Sequence, residues 1–154
     1  MKLLRKYAAL TLLGTLIGAT AHAAAAKPVV AVLHFETVGC KPYLSAVTAR
    51  YLMTAIAYMG QYDVIAPEKI EKAMEGSGVA AGSAFSAADA LKTGKQLGAA
   101  VVCRGKVTKE GDSYVVTVDF ISTVTGGVLT TKSAKVTGEA NISKAIDTIV
   151  GLTS

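Results

Sequence analysis

Beyond the first 23 residues, the histidine and cysteine side chains that nucleophilic or metal chemistry could use are three, His34, Cys40 and Cys103. His34 lies six residues before Cys40 in the stretch VVAVLHFETVGCKPYL, residues 29 to 44. A cysteine nucleophile needs a base within hydrogen-bonding reach and usually a third group that orients this base. His22 belongs to a segment that we expect to be removed, so His34 is the remaining imidazole. Because His34 ends an apolar run, a packed core histidine fits it at least as well as a catalytic base.

A metal site matches the sequence no better. Structural zinc usually has four Cys or His ligands at short spacings such as C-x2-4-C. Residues 34, 40 and 103 do not form such a pattern, and Glu71 and Glu75 belong to the solvated face of a predicted helix. We therefore expect no metal, no cofactor and no catalytic residue.

The two cysteines can also form a disulfide bond. An exported chain reaches an oxidising compartment, where two cysteines allow one bridge. A bond between Cys40 and Cys103 would close a loop of about 63 residues, worth roughly 4 kcal/mol in the chain-entropy model. The alternative is two free thiols, since Cys103 lies in an apolar run where a small buried thiol is common. Both alternatives stay open from the sequence.

The amino terminus has the pattern of a secretory signal peptide. Lys2, Arg5 and Lys6 precede an apolar run from Ala8 to about Ala19, and the small-x-small triplet at 21–23 follows. The run is shorter than the roughly 20 residues that a membrane-spanning helix needs, and no lipid-anchoring cysteine follows it. We expect cleavage near Ala23, which leaves a single domain from residue 24 to residue 154 without a transmembrane segment, in the periplasm or outside the cell.

Removal of the leader also changes the charge. The 16 basic residues become 13 against 11 acidic ones, so the net charge falls from +5 to about +2. Nucleic-acid binding needs a basic face and usually aromatic stacking platforms. The remaining basic residues are scattered among acids and the chain has no tryptophan. The composition therefore argues against a nucleic-acid partner.

The apolar pattern predicts the order β-α-β-α-α-β-β-β-α. Strands are expected at 28–35, 62–66, 99–107, 113–121 and 128–136, with the segment after residue 35 as a turn. In the first helix, 44–59, Leu44, Val47, Tyr51, Leu52, Ala55 and Met59 recur at helical spacing. The other helices are expected near 67–75, 87–97 and 141–150. This order predicts an α/β (α+β) fold with a mixed sheet of about five strands and helices mainly on one face.

Four stretches carry a family resemblance: VVAVLHFETVG, YDVIAPEKIEKAM, ALKTGKQLGAAVVCRGKV and YVVTVDFISTVTGGVL. They resemble the periplasmic α/β module of the curli-secretion lipoprotein CsgG, of the amino-terminal domain of TolB, and of flagellar and cell-wall accessory proteins. The resemblance spans residues 28 to about 137 and contains packing and turn signatures but no catalytic motif. It implies an exported, non-enzymatic module that docks to envelope proteins or to copies of itself. The chain lacks the inserted hairpins of a pore, and His34 replaces a frequent proline.

Three functions follow, in this order of preference. The first is an envelope accessory protein that acts by protein–protein docking or assembly. The second is a self-assembling subunit of a periplasmic ring or an extracellular fibre, because the last predicted strand has an open edge. The third is an enzyme that depends on Cys40 and His34. The expected contact residues are Val79 and Phe85 in a flexible segment, and Lys132 and Lys135 on the last strand; a homo-oligomer is compatible with the first two functions.

Overall fold

The computed structural model describes residues 26–152. The predicted signal peptide, residues 1–23, lies outside the described residues. Within them, eleven elements follow one another: β1 Val29–Val32, β2 Glu36–Val38, α1 Leu44–Met59, β3 Asp63–Val64, α2 Pro67–Ser77, α3 Ala87–Gln96, β4 Val101–Glu110, β5 Ser113–Ser122, β6 Val128–Thr137, a 3-10 turn Glu139–Asn141, and α4 Ile142–Val150.

The strands form one mixed sheet in the order β3-β1-β4-β5-β6, and β2 also pairs with β4. The pairs that involve β1, β2 or β3 are parallel, whereas β4–β5 and β5–β6 are antiparallel hairpin pairs. The predicted α/β fold with a mixed sheet is therefore confirmed. The sheet has six strands, because the segment that we expected to be a turn contains β2.

A bulge separates β1 from β2. Val32 is paired with Cys103 and Glu36 with Lys106, so three residues, 33 to 35, lie opposite two residues of β4. The extra residue lets the chain resume its pairing with β4 after a local bend. His34 lies at this bulge, and Phe35 packs on Gly105, where a Cβ atom would be 2.6 Å from Cδ2 of the ring.

The two faces of the sheet carry different helices. We call the side of Val101, Cys103 and Val107 the first face; it also holds the alternate residues of β5, Tyr114, Val116, Val118 and Phe120. Helices α1 and α4 pack over this face and against each other. Helix α3 packs on the second face, where Gly94 approaches Val102 so closely that a Cβ atom would be 2.9 Å from the valine Cβ.

Local signals in the sequence fix where the helices begin and end. Ser86 caps α3 by accepting a hydrogen bond from the backbone N–H of Asp89 at 3.0 Å, and Pro67 begins α2. Helices α1 and α4 are followed directly by Gly60 and Gly151, which terminate them with φ angles of +73° and +81° that favour glycine. Between residues 26 and 152, no helix combines the length and the apolar character that a membrane crossing requires.

Candidate functional site

The three residues considered for catalysis lie in separate surroundings. His34, at the bulge, is half-buried and is influenced by the charges of Glu71 and Arg50. Cys40 lies beyond β2, six residues after His34, and the three residues of β2 alone correspond to roughly 10 Å of extended chain. Its Sγ donates a weak hydrogen bond to the carbonyl oxygen of Val107 at 3.6 Å. The structure therefore does not bring an imidazole to a thiol.

The electrostatics of these groups also oppose a thiolate–imidazolium pair. Burial raises the pKa of Cys40, and it raises the pKa of the fully buried Cys103 far above its usual range. Burial lowers the pKa of His34, although the nearby Glu71 carboxylate partly opposes this. Both thiols and the imidazole are therefore uncharged at neutral pH. Among the described residues, no group of three or more His, Cys, Asp or Glu side chains is placed to hold a metal ion.

The two cysteines do not meet. Both thiols are free. Cys40 lies beside Val107, and Cys103 is four residues further back on β4, which corresponds to roughly 13 Å of strand. A disulfide bond needs Cα atoms about 4.4–6.8 Å apart. The structure thus favours the alternative of two free thiols over the bridge that the sequence allowed.

The expected contact residues fall in three places. Phe85 is 5% exposed and belongs to the core, which corrects the expectation that it lies on the surface. Val79 is partly buried and packs against the core. Lys132 and Lys135 are exposed on β6 but point to opposite faces. The Nζ atom of Lys135 lies 3.6 Å from Oε1 of Glu110, so its charge is partly paired.

An apolar groove opens at the end of the first face, and we call it the end groove. It forms because α1 and α4 stop at Met59 and Val150 and leave the last part of the sheet uncovered. The groove has a volume of about 340 Å³. It is lined by sheet residues, by the two helix ends and by the edge strand, among them Val101, Phe120, Met59, Val150, Leu129 and Lys132.

Two features of the end groove suit it to binding. Leu129, at the irregularity in the β5–β6 pairing, is 61% exposed at its rim. Lys132 is the charged member of the lining, and among the described residues its ammonium group forms no ion pair. An apolar floor with one cation at the rim matches an apolar segment that carries a carboxylate. The sequence marked Lys132 but not the groove, because the groove depends on where two distant helices end.

A second surface lies on the outer side of α1. Tyr58 is 81% exposed, and Tyr51 lies on the same side two turns earlier. Together with Asp147 of α4 and Leu152, these tyrosines line a shallow groove between the helices. The helical spacing of Tyr51 suggested a core position, but the residue is at the solvent-exposed margin of the apolar stripe. Exposed tyrosines are common in protein interfaces.

A polar cluster on the second face is internally paired. Arg104 donates to the carbonyl oxygen of Phe85 at 2.9 Å and to Oδ2 of Asp119 at 2.8 Å. Thr131 donates to the other carboxylate oxygen of Asp119 at 2.7 Å. These groups satisfy one another's hydrogen-bonding capacity. Through the bond from Arg104 to the Phe85 carbonyl, the cluster holds the 83–86 segment against the sheet.

Comparisons with known proteins show the fold. No protein-family model matches the chain, and no curated protein sequence matches it. The LpoB C-terminal domain from Escherichia coli has a similar structure, with a TM-score of 0.58 and 14% identity over 71% of this chain and 82% of that chain. A PelC dodecamer from Paraburkholderia phytofirmans matches with a TM-score of 0.56 and 19% identity, over 82% of this chain and 87% of that chain. The lipoprotein GNA1162 from Neisseria meningitidis matches with a TM-score of 0.57 and 17% identity, over 80% of this chain and 94% of that chain.

The predicted resemblance to TolB is confirmed for the fold. TolB from Acinetobacter baumannii matches with a TM-score of 0.51 and 15% identity over 80% of this chain and 26% of that chain. The resemblance to CsgG stays a prediction. Because all these identities are low, the comparisons establish a shared α/β architecture, and the function has to be argued from the surfaces of this chain.

Proposed function

We propose that this protein is an exported, non-enzymatic accessory protein of the cell envelope that docks to another protein through the end groove. The observation that carries the proposal is the open apolar groove with Lys132 at its rim. The floor of the groove consists of core side chains such as Phe120 and Ile149, so a partner side chain would extend the core of the domain. The partner is an apolar segment that bears a carboxylate.

The fold and the sequence support this proposal. The amino-terminal signal pattern predicts export, and one protein of similar structure is described as a lipoprotein. His34 and the two thiols are uncharged and lie apart, which removes support from a Cys/His enzyme. A module with an open groove and no assembled catalytic group in its described part suits docking better than catalysis.

Site-specific photocrosslinking in cells tests the proposal. A photoreactive amino acid at position 129, on the rim of the end groove, is expected to form a covalent adduct with an envelope protein. Lys132→Glu reverses the charge at the groove and is expected to abolish that adduct. Lys135→Glu is the matched control, since it changes the same charge on the same strand but on the opposite face.

The outcomes separate the candidate functions. An adduct that is lost with Lys132→Glu and kept with Lys135→Glu supports docking through the groove. Adducts that contain only copies of this chain would instead favour the self-assembling subunit, the second candidate, which the open edge of β6 supports. If position 129 forms no adduct, or if both lysine variants behave alike, the proposed role of the groove is wrong.

A further inference from the structure

The outer edge of β6 is a long template for strand pairing. β6 spans Val128–Thr137 and pairs with β5 along its inner side, while no other described segment pairs with its outer side. Residues 128 to 133 are solvent-exposed. An edge of this length presents a row of backbone N–H and C=O groups that can pair with another strand. Between residues 26 and 152, no strand pairs with this row, and only its last residue has a partner there, because the side-chain amide of Asn141 donates to the carbonyl oxygen of Thr137 at 2.7 Å.

The opposite side of the sheet offers no comparable edge. There β3 has two residues, Asp63–Val64. The neighbouring strand β2 is covered, because the backbone N–H of Thr37 donates to the carbonyl oxygen of Gly82 at 2.9 Å. Head-to-tail pairing of β6 with this side would therefore join few residues. The partner that matches β6 in length and in exposed backbone is another β6.

We propose that two copies of this chain form a dimer in which their β6 strands pair antiparallel across a two-fold axis at Ser133. In this register Ser133 lies opposite Ser133 of the second copy, and Lys132 lies opposite Ala134. Residues 129 to 137 of each strand then overlap. This inference concerns the edge of the sheet and goes beyond the docking partner of the end groove.

The positions of the two lysines select this register. When two identical strands pair antiparallel across a two-fold axis, the residue at the axis lies opposite the same residue of the second copy. An axis at Lys132 or at Lys135 would therefore place two ammonium groups opposite each other, which is unfavourable. An axis at Ala134 avoids this but shortens the overlap to residues 131 to 137. The axis at Ser133 keeps the lysines apart and leaves almost the whole strand paired, so it is the favoured arrangement.

The charges on the second face are compatible with the same register. With the axis at Ser133, Lys135 of the second copy lies opposite Thr131. The hydroxyl of Thr131 donates to Oδ1 of Asp119 at 2.7 Å, so a carboxylate lies on the next strand of the same face. This carboxylate is already paired with Arg104 of its own chain, so the register places the ammonium group of the second copy beside a neutral ion pair and does not set it opposite another lysine. Since both copies contribute this contact, it is made twice in the dimer.

Sedimentation of the chain that starts at residue 24 tests the dimer. The protein is expected to show a monomer–dimer equilibrium that shifts with concentration. Ser133→Lys places two ammonium groups at the axis and is expected to weaken dimerisation at least about tenfold. Gln96→Lys is the control, because it adds the same charge at the exposed end of α3. Circular dichroism and urea unfolding verify that both variants fold.

Cysteine crosslinking tests the register. In a Cys40→Ser background, Ser133→Cys places two thiols directly opposite each other, within reach of a disulfide. Mild oxidation is expected to yield a covalent dimer, whereas Thr130→Cys on the same strand is expected to yield little. A protein that stays monomeric at all concentrations would overturn the dimer. Equal crosslinking at 130 and 133 would overturn the register.

These results are separable from the docking test. Ser133 lies on the second face, whereas the end groove opens on the first face. Because position 129 itself lies in the paired part of β6, the photocrosslinking is repeated in the Ser133→Lys background. An adduct with a copy of this chain that disappears in that background reports the dimer, whereas an adduct with another envelope protein that persists there reports docking through the groove.

Discussion

The ring of Phe35 lies directly on Gly105, where the bulge between β1 and β2 meets β4. A Cβ atom at position 105 would lie within 2.6 Å of both Cδ2 and Cζ of the ring. Phe35 is fully buried, so it has no room to move aside. The glycine and the phenylalanine thus fix the point at which the interrupted strand resumes its pairing.

Gly105→Ala is therefore expected to destabilise the protein. Overpacking of this kind costs about 1–3 kcal/mol, and urea unfolding measures it. In a Phe35→Ala background the methyl group has space, so the same substitution is expected to cost less. Gly76→Ala is the control, because a Cβ atom there meets nothing within 4 Å. Equal effects of Gly105→Ala in both backgrounds would contradict the packing that we describe.

The Arg104–Asp119 pair predicts a loss of stability in acid. Burial alone would raise the pKa of Asp119, but hydrogen bonds from Thr131 and Arg104, together with the arginine charge, lower it below the ordinary value. Because the pKa of Asp119 is lower in the folded than in the unfolded state, its ionised carboxylate stabilises the fold at pH values above the unfolded-state pKa, near 3.9. This stabilisation is lost as the pH falls through the folded-state pKa.

Asp119→Asn is accordingly expected to reduce the free energy of unfolding by about 1–3 kcal/mol at pH 7. The difference from the wild type should shrink as the pH falls through the folded-state pKa of Asp119, because the carboxyl group then becomes protonated in the folded and in the unfolded state. Chemical unfolding at a series of pH values measures this. Asp112→Asn, in the exposed β4–β5 turn, serves as the control. A difference that does not change with pH would show that the pair contributes no titrating stabilisation.

Thr48 offers a substitution that stabilises the fold. Its hydroxyl on α1 is buried and, among the described residues, has no hydrogen-bond partner. Thr48→Val keeps the shape and removes the unpaired polar group, so we expect a gain of about 1 kcal/mol. Thermal or urea unfolding tests this, with the exposed Thr54→Val on the same helix as the control. A destabilised Thr48→Val protein would mean that the hydroxyl does have a partner in solution.

The cysteines should remain free thiols with different reactivities. Burial raises the pKa of both side chains, and Cys103 is completely inaccessible. Since the thiolate is the reactive form, alkylation of the native protein at pH 8 should be slow at Cys40 and slower at Cys103. Peptide mass spectrometry after timed labelling gives both rates. An intact mass that increases by two hydrogens on reduction would instead reveal a disulfide bond.

Much of the fold was determined by short-range patterns in the sequence. The apolar runs predicted five of the six strands, and Pro67, Ser86 and Gly60 marked helix ends because their effects act within one turn. Along β5, Tyr114, Val116 and Val118 are buried on one face and Thr117 and Asp119 on the other face are more exposed, which matches the alternation of apolar and polar residues in this stretch of the sequence. These features depend on residues that are close in sequence, so the sequence alone could specify them.

Tertiary structure decided the features that depend on distant residues. β2 is a strand because β4 provides its pairing partners after the bulge, and Phe85 is buried because Arg104 and the sheet hold its segment. The separation of Cys40 from Cys103 follows from the register of β2 on β4. The end groove exists because α1 and α4 end over the same part of the sheet. No local sequence pattern specifies such contacts between distant residues, since burial and contact arise only when separate elements pack together.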